Sequence, residues 1–265
     1  MDQRLAIVAG LVAAENRRWE RSDIAGFYPI DPHLLARVVP HVLRSMRPGD
    51  RSLDMGAGTG AWWLLMAAAG VPSYAIEIHP ELAAACERLR ATCVARGLID
   101  RDVPCVVTCG DMIPIAWHER YVTFRAAHGE VEKSMPGAGD GDAYADLGIA
   151  LDEFGIIYCW AWPTQSRFLY NLLADNASND ALLVLPSYVR YTTGEHMNAS
   201  MKEPNRLFLD VLATESETVV GHKRNTLQTR SRTTTTSSTS SWRRAHWTKA
   251  SRSKEKGHIS NSSIT

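Results

Sequence analysis

Hydrophobic positions along this 265-residue chain change their spacing from one segment to the next. Near the start, Leu5, Val8, Leu11, Val12 and Trp19 form a stripe at helical spacing that continues into Glu15, Arg17, Arg18 and Glu20. That is the pattern of an amphipathic helix with one side turned to a core. Beyond Ser52 the apolar positions gather into short runs: Ser52 to Asp54, Pro72 to Glu77, Val103 to Cys109, Gly155 to Pro163 and Ala181 to Pro186. Each reads as a strand, and Trp62 to Ala69 and Ser166 to Ala174 read as helices between them. Strands alternating with helices predict an α/β protein built on a parallel sheet. Two more strands, Arg206 to Ala213 and Thr218 to Lys223, are separated only by Thr214-Glu215-Ser216-Glu217. A connection that short joins antiparallel neighbours, so the sheet should finish in a C-terminal antiparallel hairpin.

The first strand runs into Asp54-Met55-Gly56-Ala57-Gly58-Thr59-Gly60, an acid followed by a glycine-rich turn and then a helix. Backbone without side chains permits close approach of a ligand, and Gly56-x-Gly58-x-x-Ala61 satisfies the fingerprint of dinucleotide-binding folds. Asp54 weighs against a dinucleotide. The helix N-terminus after such a turn would face an anionic pyrophosphate, which a carboxylate repels. S-adenosylmethionine (SAM) brings an ammonium and a sulfonium instead, and its carboxylate could be taken by amides of the turn. Glu77 ends the second strand about 20 residues past the turn, where ribose hydroxyls are gripped. Asp111 follows the third strand and could accept from an adenine amino group. Each acid alone could be a helix cap or turn residue; three successive strands ending in acids point to a nucleoside ligand.

On these residues the chain resembles the class I, Rossmann-like SAM-dependent methyltransferases over residues 25 to 224. The motif content lies in Leu53 to Gly60, Ile76 to His79, Gly110-Asp111 and the strand near Trp160. The resemblance implies a three-layer α/β fold around a seven-stranded, mostly parallel sheet in the order 3-2-1-4-5-7-6. It implies that Asp54, Gly56, Ala57, Gly58 and Gly60 contact the methionine part of SAM. It further implies that Glu77 with Ile78 binds the ribose, Asp111 with Met112 the adenine, and that Trp160 stands near the transferred methyl group. The segment Cys159-Trp160-Ala161-Trp162-Pro163-Thr164-Gln165 departs from the Asn/Asp-Pro-Pro-Tyr/Phe motif of enzymes that methylate base or amide nitrogens. A sulfonium is attracted to aromatic faces, so Trp160 and Trp162 are candidates for the ligand wall as well as for plain core.

Charge divides the chain. From Asn225 onward there are eight Lys or Arg and one acid, which leaves residues 1–224 with 21 basic and 28 acidic side chains and a formal net charge of zero overall. The Ser/Thr-rich basic segment 225–265 has too few apolar residues to offset chain entropy and should be disordered. Trp242 and Trp247 among its basic residues could stack on bases, but nothing else points to nucleic acid, and a solvated extension is the expectation. The run Leu5 to Ala14 could pass for a signal peptide, yet its helical stripe continues into charged residues, so a cap helix is expected. No run reaches the roughly 20 apolar residues that cross a bilayer. Five scattered cysteines without a C-x-x-C pair suggest reduced core thiols, a cytoplasmic location and no structural metal.

The expected organisation is an N-terminal helical cap over 1–46, a core over 47–224 with a lid at about 112–153, and the tail over 225–265. The lid, the segment Pro186 to Asn205 and Phe27-Tyr28-Pro29-Ile30-Asp31 should recognise the substrate. His118, His128 and His196 are possible bases, none singled out by the sequence. The leading expectation is methyl transfer to a small molecule. Protein-lysine methylation, suggested by Phe27-Tyr28-Pro29, an NAD-dependent oxidoreductase and a non-catalytic SAM-binding protein are the alternatives.

Overall fold

The structure is a computed structural model that describes residues 2–20, 24, 27–127, 141–160, 165–186, 209–215 and 218–223. Five parallel strands form its centre: β1 (Ser52–Met55), β2 (Ser73–Glu77), β3 (Cys105–Cys109), β4 (Ile156–Cys159) and β5 (Leu182–Pro186). They lie in the order β3-β2-β1-β4-β5. The order reverses direction on either side of β1, which makes the C-terminal ends of β1 and β4 the place where an open parallel sheet opens a crevice. The α/β class and the parallel sheet expected from the alternating pattern are both present.

Two strand ends differ from expectation for local reasons. β3 starts at Cys105, because the Val103 N–H donates to the Asp100 carbonyl in a preceding turn at 3.2 Å. β4 stops at Cys159, the partner of Met55, where β1 ends in the glycine turn.

Helices cover both faces. On the first lie α1 (Gln3–Trp19), α2 (Pro32–Ser45), α3 (Ala61–Ala68) and α4 (Pro80–Ala95). On the second lie α5 (His118–Ala126), α6 (Ala143–Leu147) and α7 (Ser166–Asn176). The N-terminal apolar stripe forms α1, which packs on α2 and α3. Its buried Glu15 accepts from Trp19 Nε1 at 3.2 Å and pairs with Arg18 and with Arg88 of α4. The segment expected to be a lid contains α5 and α6. Trp117, Tyr121 and Phe124 there surround Phe168 of α7 in an aromatic cluster.

Strand alternation decides which side chains reach which face. Leu53 and Met55 of β1, Ile76 of β2, and Ile157 and Cys159 of β4 enter the core of the second face. Asp54, Glu77 and Tyr158, one position out of phase, therefore project toward the first, under α3. All eight residues of α3 are buried, which fits its unbroken run of apolar side chains.

Gly60 precedes α3 with φ +79°, and a Cβ there would stand 2.9 Å from the Trp63 ring and 3.0 Å from Cys86 Sγ. Gly60→Ala should destabilise the fold by about 1–2 kcal/mol from the left-handed backbone alone. For a chain of this size that is a fall in melting temperature of roughly 2–8 °C. An unchanged melting curve would contradict this account of the turn.

Candidate functional site

An open cleft lies along the C-terminal edge of the strands, where open parallel sheets place their ligands. The glycine turn forms its floor. Asp54 stands at its centre, 1% exposed, and its Oδ2 accepts from the Trp63 backbone N–H at 3.1 Å, near the start of α3. Its other oxygen, Oδ1, is buried with no partner. Burial, with a smaller contribution from the nearby charge of Glu77, pushes its pKa from 3.8 up to about 8, against the lowering effect of the Trp63 N–H. An orphaned carboxylate oxygen at the wall of a cleft is the complement of a cationic group, which would restore the ionised form.

Glu77 is 4% exposed and closes the turn from β2. Its Oε2 accepts from the Gly58 N–H at 2.6 Å and its Oε1 from the His79 N–H at 2.9 Å. Burial raises its pKa too. These bonds alter one expectation. The Gly56 and Ala57 amides both donate to the Ile76 carbonyl, Gly58 to Glu77, and Gly60 to the Ala57 carbonyl. Those four amides are engaged within the chain and could turn to a ligand carboxylate only by giving up these contacts.

Gly58, at φ +57°, lies beneath Phe27, whose ring would be 3.1 Å from a Cβ at that position. Phe27, Tyr28, Pro29 and Ile30 thus form one wall. Asp31 does not join them: its carboxylate caps α2 by accepting from the His33 N–H at 2.9 Å.

Asp111 is buried at the β3 end of the cleft. Its Oδ1 accepts from the Ile113 N–H at 2.8 Å, and Oδ2 lies 3.6 Å from His118 Nε2. Met112 is adjacent, with Sδ 3.2 Å from a Cβ built on Gly56. Ile78 and Ala57 also line the cleft, and so does half-buried Trp160 at the β4 end. The structure thus brings Asp54, Gly56, Ala57, Gly58, Glu77, Ile78, Asp111, Met112 and Trp160 to one cavity. Gly60 stands just behind them, at the start of α3. His118 lies outside the lining, its Nε2 2.8 Å from the Ile113 carbonyl oxygen. His128, Trp162, His196 and the segment 225–265 lie outside the described residues. Among those described, no cluster of His, Cys, Asp and Glu could hold a metal ion, and all five cysteines are free.

Several lining residues carried no role in the sequence reading. Asn16 of α1 accepts from the Thr59 hydroxyl at 2.5 Å and so joins the first helix to the turn. Tyr158 stacks on Trp62, with ring centroids 5.1 Å apart and planes 15° from parallel. Its position two residues before Trp160, on the same strand face, was a usable signal. Tyr121 and Gln165 are hydrogen-bonded to each other from segments 44 residues apart, which no spacing rule could have joined.

No protein-family model matches this chain, and no curated protein matches its sequence. Among solved structures, the chain is similar to an RNA methyltransferase from Salinibacter ruber in complex with S-adenosyl-L-homocysteine. Identity is 16%, the match covers 74% of this chain and 93% of that one, and the TM-score is 0.45. It is also similar to a mutant of MtNAS in complex with S-adenosylmethionine, at 14% identity, 84% and 75% coverage and a TM-score of 0.43. Likeness at this level carries no conclusion about activity, which has to come from the cleft itself.

A carboxyl whose pKa rises from 3.8 to about 8 on folding keeps a proton that the unfolded chain gives up between those values. Stability of the free protein should therefore fall as pH climbs from about 4 to 8. Glu77, raised in the same direction, adds to the slope. Asp54→Asn should flatten it and raise the melting temperature relative to the parent at pH 8, as read from thermal melts at pH 5, 6, 7 and 8. Parallel curves for the two proteins would remove Asp54 as the source.

Proposed function

We propose that the cleft binds SAM and that the chain transfers its methyl group to a small-molecule acceptor. The observation that carries this reading is Asp54, buried at the tip of the central strand with Oδ1 unpartnered. It suits the ammonium or, through water, the sulfonium side of the ligand. Glu77, one strand over and on the same face, suits the ribose hydroxyls by exchanging its Gly58 contact for them. Asp111 and Met112 suit the adenine end. A dinucleotide is a poor alternative, because its pyrophosphate would meet three acids and no Lys or Arg among the described lining residues.

SAM, when bound, supplies a methyl carbon activated for attack by its positively charged sulfur. What remains for this chain is to hold the acceptor in line with that carbon and exclude water. Tyr158 and Trp160 offer an apolar, electron-rich wall at the β4 end for both purposes. No described histidine lines this end, and His128 and His196 lie outside the described residues.

The expected hairpin belongs to the same reading. The antiparallel ladders of Thr218–Lys223 with Leu182–Pro186 and with Leu209–Glu215 support a seven-stranded sheet in the order 3-2-1-4-5-7-6. The division into cap, core with lid and tail is retained, with α5 and α6 as the lid. Five free thiols support a reducing, cytoplasmic setting. Among the described residues, no helix is long and apolar enough to cross a membrane. The acidic lining supports a small molecule over nucleic acid as partner.

A ligand confined to the folded state stabilises it by about 2.7 kcal/mol at a hundredfold excess over Kd. SAM and its demethylated product should each raise the melting temperature, NAD should not, and the rise should vanish in Asp54→Ala and Glu77→Ala. A shift with NAD alone would refute the proposal. Transfer of tritium from methyl-labelled SAM into an extract fraction then separates an enzyme from a non-catalytic binder, for which no fraction would be labelled. Removing residues 225–265 should leave SAM binding unchanged.

A further inference from the structure

Along the strand order β3-β2-β1-β4, the described residues of the cleft change character. Asp111, Glu77 and Asp54 occupy the first three strand ends in turn. At the fourth, the lining is Tyr158 and Trp160, joined by Tyr121 from α5 and by Gln165 at the start of α7. None of these four side chains carries a formal charge. Asp54 and Tyr158 are direct partners in the β1–β4 ladder, so the two halves of the cleft adjoin.

Gln165 is the group that this end leaves incomplete. It is 2% exposed, and its Nε2 donates to the Tyr121 hydroxyl at 2.5 Å, which fixes the carboxamide in place. Its Oε1 is buried without a partner. Burying a polar atom unsatisfied is unfavourable, and an orphan at a cleft wall next to the proposed methyl position is explained by a ligand group that completes it.

We infer that the β4 end of the cleft is the acceptor subsite, where Gln165, held by Tyr121, positions a neutral aromatic acceptor through a hydrogen bond from its N–H or O–H group to Oε1. This rests on the methyl-transfer reading above. The aromatic walls favour a flat ring. A carboxylate or phosphate finds no described cation here and three acids nearby. An ammonium would first have to lose a proton, and a carboxamide, phenol and indole offer no base strong enough to take it. A neutral acceptor already has its lone pair. Donation of its N–H or O–H hydrogen to Gln165 leaves that pair free to form the new bond to the methyl carbon. The carbon–sulfur bond breaks, its electrons return to sulfur, and the acceptor's proton passes to solvent afterwards.

The test uses the full chain saturated with S-adenosylhomocysteine and ligand-observed NMR titrations of matched probes. These are phenol against anisole and aniline against N,N-dimethylaniline, with benzylammonium and benzoate as charged controls. Phenol and aniline should bind at least about tenfold more tightly than their capped partners. In Gln165→Met that preference should fall below about threefold, while Gln165→Glu, which keeps an acceptor oxygen, should retain it. Affinity for S-adenosylhomocysteine should stay within about twofold in both variants, since Gln165 belongs to the other half of the cleft. Should Gln165→Met not fold, the parent's preference and its retention in Gln165→Glu decide the matter. The inference is overturned by equal binding of capped and uncapped probes or by a charged probe binding best. Silence from every neutral probe, or a variant that weakens cofactor binding, overturns it as well. Failure of the parent to bind S-adenosylhomocysteine at all would instead bring down the methyl-transfer reading on which it stands.

Discussion

A carboxylate shut away from water at the tip of the central strand sets the terms for the rest of the cleft. Asp54 has one oxygen satisfied by the amide of Trp63 and the other by nothing among the described residues. Such a group is stable only in a protonated form or beside a cation. Its surroundings follow from it. α3 must begin where its Trp63 amide can reach the strand, which fixes the turn at Gly60. Glu77, on the same face one strand over, is pushed toward its neutral form by its own burial and is held by the Gly58 and His79 amides. Polar strain is thus concentrated at the strand ends, where a ligand can relieve it.

That strain is affordable because the layer above it is so apolar. Trp62 and Trp63 are wholly buried, and their indole nitrogens donate to the Ser52 hydroxyl and the Ser73 carbonyl at 3.0 and 3.1 Å. Two large rings therefore fill the space between α3 and the sheet while anchoring to both β1 and β2. Tyr158 extends the stack to β4. Aromatic rings tied to β1, β2 and β4 thus pack against the three strands whose ends line the centre of the cleft.

Much of this was legible in the sequence. Alternating apolar runs located the parallel strands, and the acid–glycine turn, with acids at the next two strand ends, located the cavity. These signals are local, set by strand period and by turn chemistry within a few residues. The remainder depends on contacts between distant segments. Nothing near Asn16 says that it meets Thr59, and nothing near Tyr121 says that it meets Gln165. Strand limits erred at Val103 and Trp160 because a turn hydrogen bond and the end of the neighbouring strand overrode an apolar run. The engagement of the glycine-turn amides was equally invisible, since it depends on where Glu77 places its oxygens.

The bond from Thr59 to Asn16, together with the pairing of Glu15 with Arg88, makes the first helix a late arrival. Its partners are 43 and 73 residues further along the chain. During synthesis α1 emerges from the ribosome well before α3 and α4 exist, and its apolar stripe must wait for them. The cavity is therefore finished by a segment made before the turn and helices that it joins. A change within α1 would be felt late in folding, when the glycine turn has formed and still lacks the helix that secures it.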